Sequence, residues 1–185
     1  MREYFQKEEI LEFFLSILLL SFIFSTNYFV INIPKILYYT SILLPTFVLK
    51  ELIQKSFAKR FGYSSRFKLY NVSFILAFFL SFIGIKLAAP GYTQLLPYKF
   101  SNWKFKRRAF SVEDEGKIVF VGLSVFLIFC ILFILLDIKE IKDVFALILI
   151  FNLIPILPFD GTKILKWSFS IWSFLFIFSI ILLIL

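Results

Sequence analysis

Six long apolar segments, separated by short charged stretches, dominate this sequence. Their approximate limits are residues 10–31, 36–54, 70–88, 117–137, 143–159 and 167–185. A helix needs about 20 apolar residues to cross the hydrocarbon core of a bilayer, and most of the segments come near that length. The chain of 185 residues is 61% hydrophobic, which is not the composition of a soluble domain. The pattern predicts an all-α polytopic membrane protein with a single domain over residues 1–185.

The distribution of Lys and Arg predicts which segment ends share a side of the membrane. If all six segments cross and the N-terminus is inside, 9 basic residues lie inside and 10 outside. If segment 70–88 enters and returns to the same side, the counts become 16 and 3, with Lys86 counted inside. Basic residues concentrate in short cytoplasmic loops, which favours the second arrangement. We therefore expect five to six spans, a re-entrant element at about 70–100 and a cytoplasmic N-terminus at the cell membrane.

The second apolar segment contains Lys50-Glu51-Leu52-Ile53-Gln54. In a zinc-binding H-E-x-x-H helix, histidines at i and i+4 hold the metal and the glutamate between them is the general base. Here Glu51 has the position of the glutamate, Lys50 and Gln54 have those of the ligands, and the chain contains no histidine. An ammonium repels a zinc ion and an amide is a poor ligand for it, so we expect no bound metal.

The fifth apolar segment ends in Asn152-Leu153-Ile154-Pro155-Ile156-Leu157-Pro158-Phe159-Asp160-Gly161. Its two prolines remove backbone donors and loosen the helix end, and Gly161 permits a tight exit. Asp160 is then a carboxylate at the end of a span, where an ionisable residue is a candidate for function. An aspartate with only a structural role in the headgroup region is the alternative interpretation.

Together, these two segments resemble the site-2 protease family of intramembrane zinc metalloproteases (peptidase family M50), most of all its small archaeal members. The stretches Phe61-Gly62-Tyr63 and Ala88-Ala89-Pro90-Gly91 are similar as well. The resemblance implies a site-2 protease-like bundle. It also implies that Glu51 matches the general base and Asp160 a third zinc ligand. A groove for a substrate or partner would then include Asn152, Pro155, Pro158 and Gly161.

The chain departs from that family at the positions on which zinc chemistry depends. Lys50 and Gln54 replace both histidine ligands. The family's G-P-x-x-N motif falls at Gly122-Leu123-Ser124-Val125-Phe126, without its proline and asparagine. The resemblance therefore implies a degenerate member of the family, without its zinc cofactor.

We expect the Lys50 ammonium to take the charge-balancing place of the metal and to pair with Asp160, Glu51 or both. Gln54 lies four residues further along, on the same helix face, and can donate to a carboxylate. The alternative is that Lys50 extends to the inner headgroups.

Three functions remain open from the sequence. The first is a catalytically inactive homologue of an intramembrane protease, which binds or scaffolds a membrane partner such as a transmembrane helix of another protein. The second is an active peptidase with a non-standard site, in which Glu51 and Asp160 form a pair of the aspartic-protease type. The third is a structural or transport-related membrane protein that inherited the fold. The missing zinc ligands favour the first function, so we do not expect an enzyme.

The net charge of +8 bears on the lipid partner. The cluster Lys104-Phe105-Lys106-Arg107-Arg108 follows Trp103 and has the composition of a patch at a membrane surface. We therefore expect the basic inner loops to contact anionic headgroups. No nucleic-acid-binding motif accompanies the charge, so no nucleic acid is expected as a partner.

Overall fold

A computed structural model describes residues 7–27, 29–97 and 111–185. The predicted basic cluster at 104–108 lies outside the described residues. In sequence order the elements are α1 Lys7–Ser25, β1 Thr26–Asn27, β2 Val30–Ile31, α2 Ile33–Arg60, β3 Tyr63–Leu69, α3 Asn71–Phe82, β4 Gly91–Pro97, α4 Val112–Leu135, α5 Lys139–Leu153, α6 Asp160–Trp167 and α7 Phe169–Ile184.

The helices follow the predicted apolar segments, since each segment overlaps one of α1 to α5 or α7. The prediction of a mostly helical chain is confirmed. Two of the described helices, α2 and α4, are long and apolar enough to cross a membrane, and α3 and α7 are shorter apolar helices. The number of spans, five or six, stays a prediction.

Aromatic rings join three of the helices in the main hydrophobic core. The rings of Phe47 in α2 and Phe126 in α4 have centroids 4.8 Å apart, and Phe126 also lies 6.2 Å from Phe145 in α5. Aromatic pairs of this kind contribute about 0.5–1.5 kcal/mol each, and close packing of this sort also holds helices together in lipid. The core therefore holds α2, α4 and α5 at the fixed separations on which the candidate site depends.

Strands β3 and β4 form an antiparallel pair that the sequence analysis does not predict. Tyr63 lies opposite Pro97 and Leu69 lies opposite Gly91, so the chain leaves and returns at the same place. Between the strands, α3 runs outward and an extended stretch runs back, with the Ser73 hydroxyl donating to the Ala89 carbonyl at 2.6 Å. Whether this element enters a membrane and returns to the same side, as predicted for about 70–100, stays a prediction.

The far end of α3 lies beside the end of α1. The ring of Phe22 stacks on that of Phe78 at 5.3 Å, and Phe29 stacks on Phe82 at 5.6 Å. Lys86 follows in the returning stretch and lies over the ring of Phe24 at 5.7 Å. The charge count grouped Lys86 with the inner loops, and this assignment is wrong, because the returning stretch still lies beside the end of α1 at residue 86.

The other edge of β3 is bound by carboxylates of α1. The backbone N–H of Phe67 donates to Glu9 and that of Leu69 donates to Glu12, each at 2.9 Å. Glu9 also forms a buried ion pair of 2.6 Å with Lys55 of α2. One glutamate thus ties together α1, α2 and the sheet, and satisfies a strand edge that would otherwise be costly to bury.

We predict that Lys55→Met destabilises the fold, because it removes the ammonium group of the buried 2.6 Å ion pair with Glu9. Breaking such a pair from one side costs about 3–5 kcal/mol of unfolding free energy. Lys68→Met is the matched control, since Lys68 is an exposed lysine on β3, the strand that Glu9 also contacts. Denaturant titration of both variants in detergent measures the difference, and equal stabilities would contradict this role of Lys55.

Candidate functional site

Helix α2 supplies three polar side chains to one buried site. The helix begins after Asn32, whose side chain accepts from the N–H of Lys35 at 3.1 Å. Further along the helix, the spacing of 3.6 residues per turn places Lys50, Glu51 and Gln54 on the face that packs inward. Their exposed fractions are 4%, 0% and 0%.

Strand β4 supplies Thr93, which joins the two predicted segments. Its backbone N–H donates to Asp160 Oδ1 at 3.1 Å, and its hydroxyl lies 3.2 Å from Asp160 Oδ2. The same hydroxyl accepts from Lys50 Nζ at 3.2 Å. The structure therefore brings Glu51 and Asp160 into one site, with Thr93 between the lysine of one segment and the aspartate of the other.

Gln54 is the third neighbour of the Thr93 hydroxyl, with Oε1 at 3.3 Å. A hydroxyl has one proton, so Thr93 donates to Gln54 or to Asp160 at any moment. Gln54 Nε2 has no hydrogen-bond partner among the described residues. In the opposite amide orientation, Nε2 would donate to Thr93 and leave the threonine proton for Asp160.

The charges of the site balance in two ion pairs. Lys50 Nζ lies 2.7 Å from Glu51 Oε1, and Lys163 Nζ lies 3.0 Å from Asp160 Oδ1. Lys163 also donates to the carbonyl oxygen of Thr93. Buried carboxylates are costly unless each is paired and hydrogen-bonded. Asp160 uses both oxygens, whereas Glu51 is paired through Oε1 and its Oε2 has no hydrogen-bond partner among the described residues.

Lys50 pairs with one of the two carboxylates that the sequence offered as its partners. Its direct partner is Glu51, and the ion pairs of the described residues include none between Lys50 and Asp160. The lysine reaches the aspartate only through the Thr93 hydroxyl. Only 4% of Lys50 is exposed, so in this structure its side chain does not extend to the protein surface.

The proposed groove residues lie around the turn between α5 and α6. Asn152 Nδ2 donates to the Ile148 carbonyl in its own helix at 2.7 Å. Pro155 is exposed, Pro158 is half-buried, and Gly161 is buried. A Cβ at Gly161 would overlap the carbonyl of Leu153, so this glycine is needed for close packing. Whether these residues form a groove for a partner stays a prediction.

Gly122 of α4 packs directly on the site. A Cβ there would lie 2.6 Å from Gln54 Oε1, closer than real contacts allow. Gly122 is the residue of the G-P-x-x-N motif that this chain keeps, and its lack of a side chain makes room for Gln54.

The residues of the site do not fit a zinc ion. Zinc in proteins takes Cys, His, Asp or Glu ligands, and no group of three such side chains that could hold a metal occurs within residues 7–27, 29–97 and 111–185. Glu51 and Asp160, the two carboxylates present, each face an ammonium group. A divalent cation would have to displace or deprotonate both lysines.

Sequence reasoning missed Thr93 and Lys163. Lys163 follows Asp160 by three residues on α6, and this helical spacing was a usable signal for an ion pair. Thr93 gave no such signal, because its position depends on the pairing of β4 with β3.

No model of a known protein family matches the sequence. The chain has a metalloprotease-like relative. The relative is a protein of Methanocaldococcus jannaschii described as a "putative zinc metalloprotease". The two sequences are 28% identical over 184 residues, which cover 91% of this chain and 89% of the relative. No solved structure matches. The similarity supports a metalloprotease-like relationship over most of the chain.

We predict that Lys50 and Glu51 are energetically coupled. Lys50→Met alone should lower the free energy of unfolding by about 3 kcal/mol, because it leaves a buried carboxylate unpaired. Adding Glu51→Gln should recover part of this loss, giving a coupling energy of about 1 kcal/mol or more. The four proteins of this double-mutant cycle are compared by unfolding in detergent. Strictly additive effects, or an unchanged Lys50→Met variant, would contradict the ion pair.

Proposed function

We propose that this chain is a catalytically inactive, membrane-embedded homologue of the site-2 protease type that binds a membrane partner. The observation that carries the proposal is the Lys50–Glu51 ion pair of 2.7 Å at the place of the zinc-binding motif. A zinc protease needs a metal-activated water and a free general base. Here an ammonium lies beside the only candidate base of the motif.

The apolar surface supports embedding in a bilayer. Soluble proteins rarely expose large contiguous apolar patches, yet several of these helices expose large side chains along their length. Examples are Leu11, Phe14 and Leu18 of α1, Ile75 and Phe79 of α3, Ile128 and Leu135 of α4, and Phe174, Ile177 and Ile184 of α7. In a bilayer these side chains would face lipid.

The path of the chain supports the proposed orientation. Helices α2 and α5 run in the same direction. Tyr39 near the beginning of α2 bonds Glu140 at the beginning of α5, and Lys50 in the second half of α2 meets Asp160, which follows the end of α5, through Thr93. With the N-terminus cytoplasmic, the site would lie toward the inner face. The element β3–α3–β4 would then enter from that face and return to it. Irregular backbone is tolerated at such depth only where protein or water satisfies it.

Hydrolysis by a carboxylate pair is disfavoured by the same contacts. Aspartic-protease chemistry needs two carboxyl groups that share a proton. Glu51 and Asp160 are instead separated by Thr93, and each has its own lysine. Of the two remaining functions, the exposed surface beside the site favours partner binding over a transport role.

That surface is the turn after α5, where Ile156 and Leu157 are 60% and 69% exposed. It leads directly into the buried Asp160. A transmembrane helix of another protein could bury these apolar side chains and remain in lipid. Anionic headgroups at the basic inner loops would be the second partner.

The first test asks whether positions 50 and 54 and Asp160 are still arranged so that histidines at 50 and 54 would form a metal site. We predict that the Lys50→His, Gln54→His double variant takes up about one zinc per chain, with Asp160 as a third ligand. The native protein and the double variant with added Asp160→Asn should hold little zinc after the same purification. Metal analysis would overturn the inactive assignment if the native protein held stoichiometric zinc. A double variant that binds no zinc would contradict the claim that these three positions keep the arrangement of a metal site.

The second test asks for the partner. A photo-crosslinking amino acid at Leu157 should give one recurrent protein adduct in native membranes. The control is the same amino acid at Phe79 of α3, which is similarly exposed at 65% but lies on another element. If Leu157 yields only lipid adducts, or the same adducts as Phe79, the scaffold function is wrong.

A further inference from the structure

A second polar cavity lies far from the site described above. Its volume is about 210 Å³. It is formed by the end of α1, the beginnings of α2 and α5, and the stretch that returns from α3. Its polar lining residues are Ser25, Lys35, Tyr39, Lys86, Glu140 and Asp143. Tyr39 and Lys50 are separated by roughly 16 Å along α2 at 1.5 Å per residue, so the cavity is distinct from the Lys50–Glu51 site.

The two carboxylates of this cavity already have partners. Glu140 Oε1 accepts from the Tyr39 hydroxyl at 2.6 Å and from Lys35 Nζ at 3.1 Å. Asp143 pairs with Lys142 at 2.8 Å. Hydrogen bonds from the Tyr39 hydroxyl and from Lys35, together with the charges of Lys35 and Lys86, hold the pKa of Glu140 below its usual range, although burial opposes this. Each acid therefore already has a lysine within ion-pair distance.

Lys86 is the lining lysine without an ion-pair contact among the described residues, and its charge acts on Glu140 only from beyond that distance. Within the described part of the chain, no carboxylate lies within 4.0 Å of its ammonium, and its contact is the face of the Phe24 ring at 5.7 Å. The side chain is half-buried in the cavity wall. The lining lysines Lys35 and Lys86, with Lys142 behind Asp143, exceed the two acids by one charge. A partly desolvated ammonium gains more from a counter-ion than an exposed one does.

We propose that this cavity is a binding site for a phosphodiester monoanion, held by Lys86. One negative charge matches the single excess positive charge. Phosphate oxygens accept from ammonium groups in strong charge-assisted hydrogen bonds. The volume admits a small headgroup, while the apolar lining of Phe24, Val144 and Leu147 can contact the first carbons attached to it. The phosphodiester could belong to a membrane lipid or to a free anion.

The test measures binding to the full-length protein in a neutral detergent. The probes are dihexanoyl phosphatidylglycerol, dimethyl phosphate as the same anion without chains, and dihexanoyl phosphatidylcholine, whose phosphodiester is neutralised by its own cation. We expect the first probe, or the first two, to bind and the third to bind at least tenfold more weakly. Binding of phosphatidylglycerol alone identifies a lipid headgroup site, and binding of dimethyl phosphate as well shows that the anion suffices.

The matched variants are Lys86→Gln and Lys139→Gln. Both remove one positive charge at the same end of the molecule, but Lys139 is exposed and does not line this cavity. Loss of a hydrogen bond between charged groups should weaken binding about tenfold in Lys86→Gln. Lys139→Gln should bind as the native protein does. Equal affinities of the two variants, or no binding of either anion to the native protein, would overturn the proposal.

A measurement on the native protein does not depend on how Lys86→Gln folds. Amine-reactive labelling followed by mass spectrometry should modify Lys86 without ligand, and phosphatidylglycerol should protect it. Labelling of Lys139 should stay the same in both conditions. Labelling of Lys86 that does not change with saturating phosphatidylglycerol and dimethyl phosphate would also overturn the site.

Discussion

Two buried carboxylates, Glu51 and Asp160, set the main constraint on this structure. Each must have a cation, because an unpaired charge in a poorly hydrated interior is costly. Lys50 and Lys163 supply these cations at 2.7 and 3.0 Å, and Thr93 links the two pairs. Since these residues belong to α2, β4 and α6, the pairing requires the β3–α3–β4 element to return and bring Thr93 between the helices.

Much of this arrangement was predictable from local patterns. The helical spacing of Lys50, Glu51 and Gln54 predicts one buried face, and the apolar segments predict the helices. The β3–β4 pair was not predicted, although Tyr63, Ser65 and Phe67 alternate as buried residues in a strand do. Each strand has only 7 residues, so a hydropathy value averaged over a window of membrane-span length does not detect it. The contact of Thr93 depends on strand register, which a single segment does not contain.

The position of Lys86 shows what a count of basic residues per loop does not give. A count assigns lysines to loops but does not give their depth along the structure. Lys86 was therefore grouped with the inner loops, although it lies beside Phe24 near the first turn of α5. Gly122 shows the opposite case. The loss of its neighbouring motif residues suggested decay, yet the glycine leaves room for Gln54 within the present site.

The assignment of an inactive site depends on which cation lies beside Glu51, the Lys50 ammonium or a metal ion. Diffraction data collected across the zinc absorption edge, from crystals of the native protein grown with zinc, test it most directly. If the site is inactive, we expect no anomalous peak between Glu51 and Asp160, and density for Lys50 Nζ at hydrogen-bond distance from Glu51. A zinc peak bound by these two carboxylates, with Lys50 turned away, would contradict it.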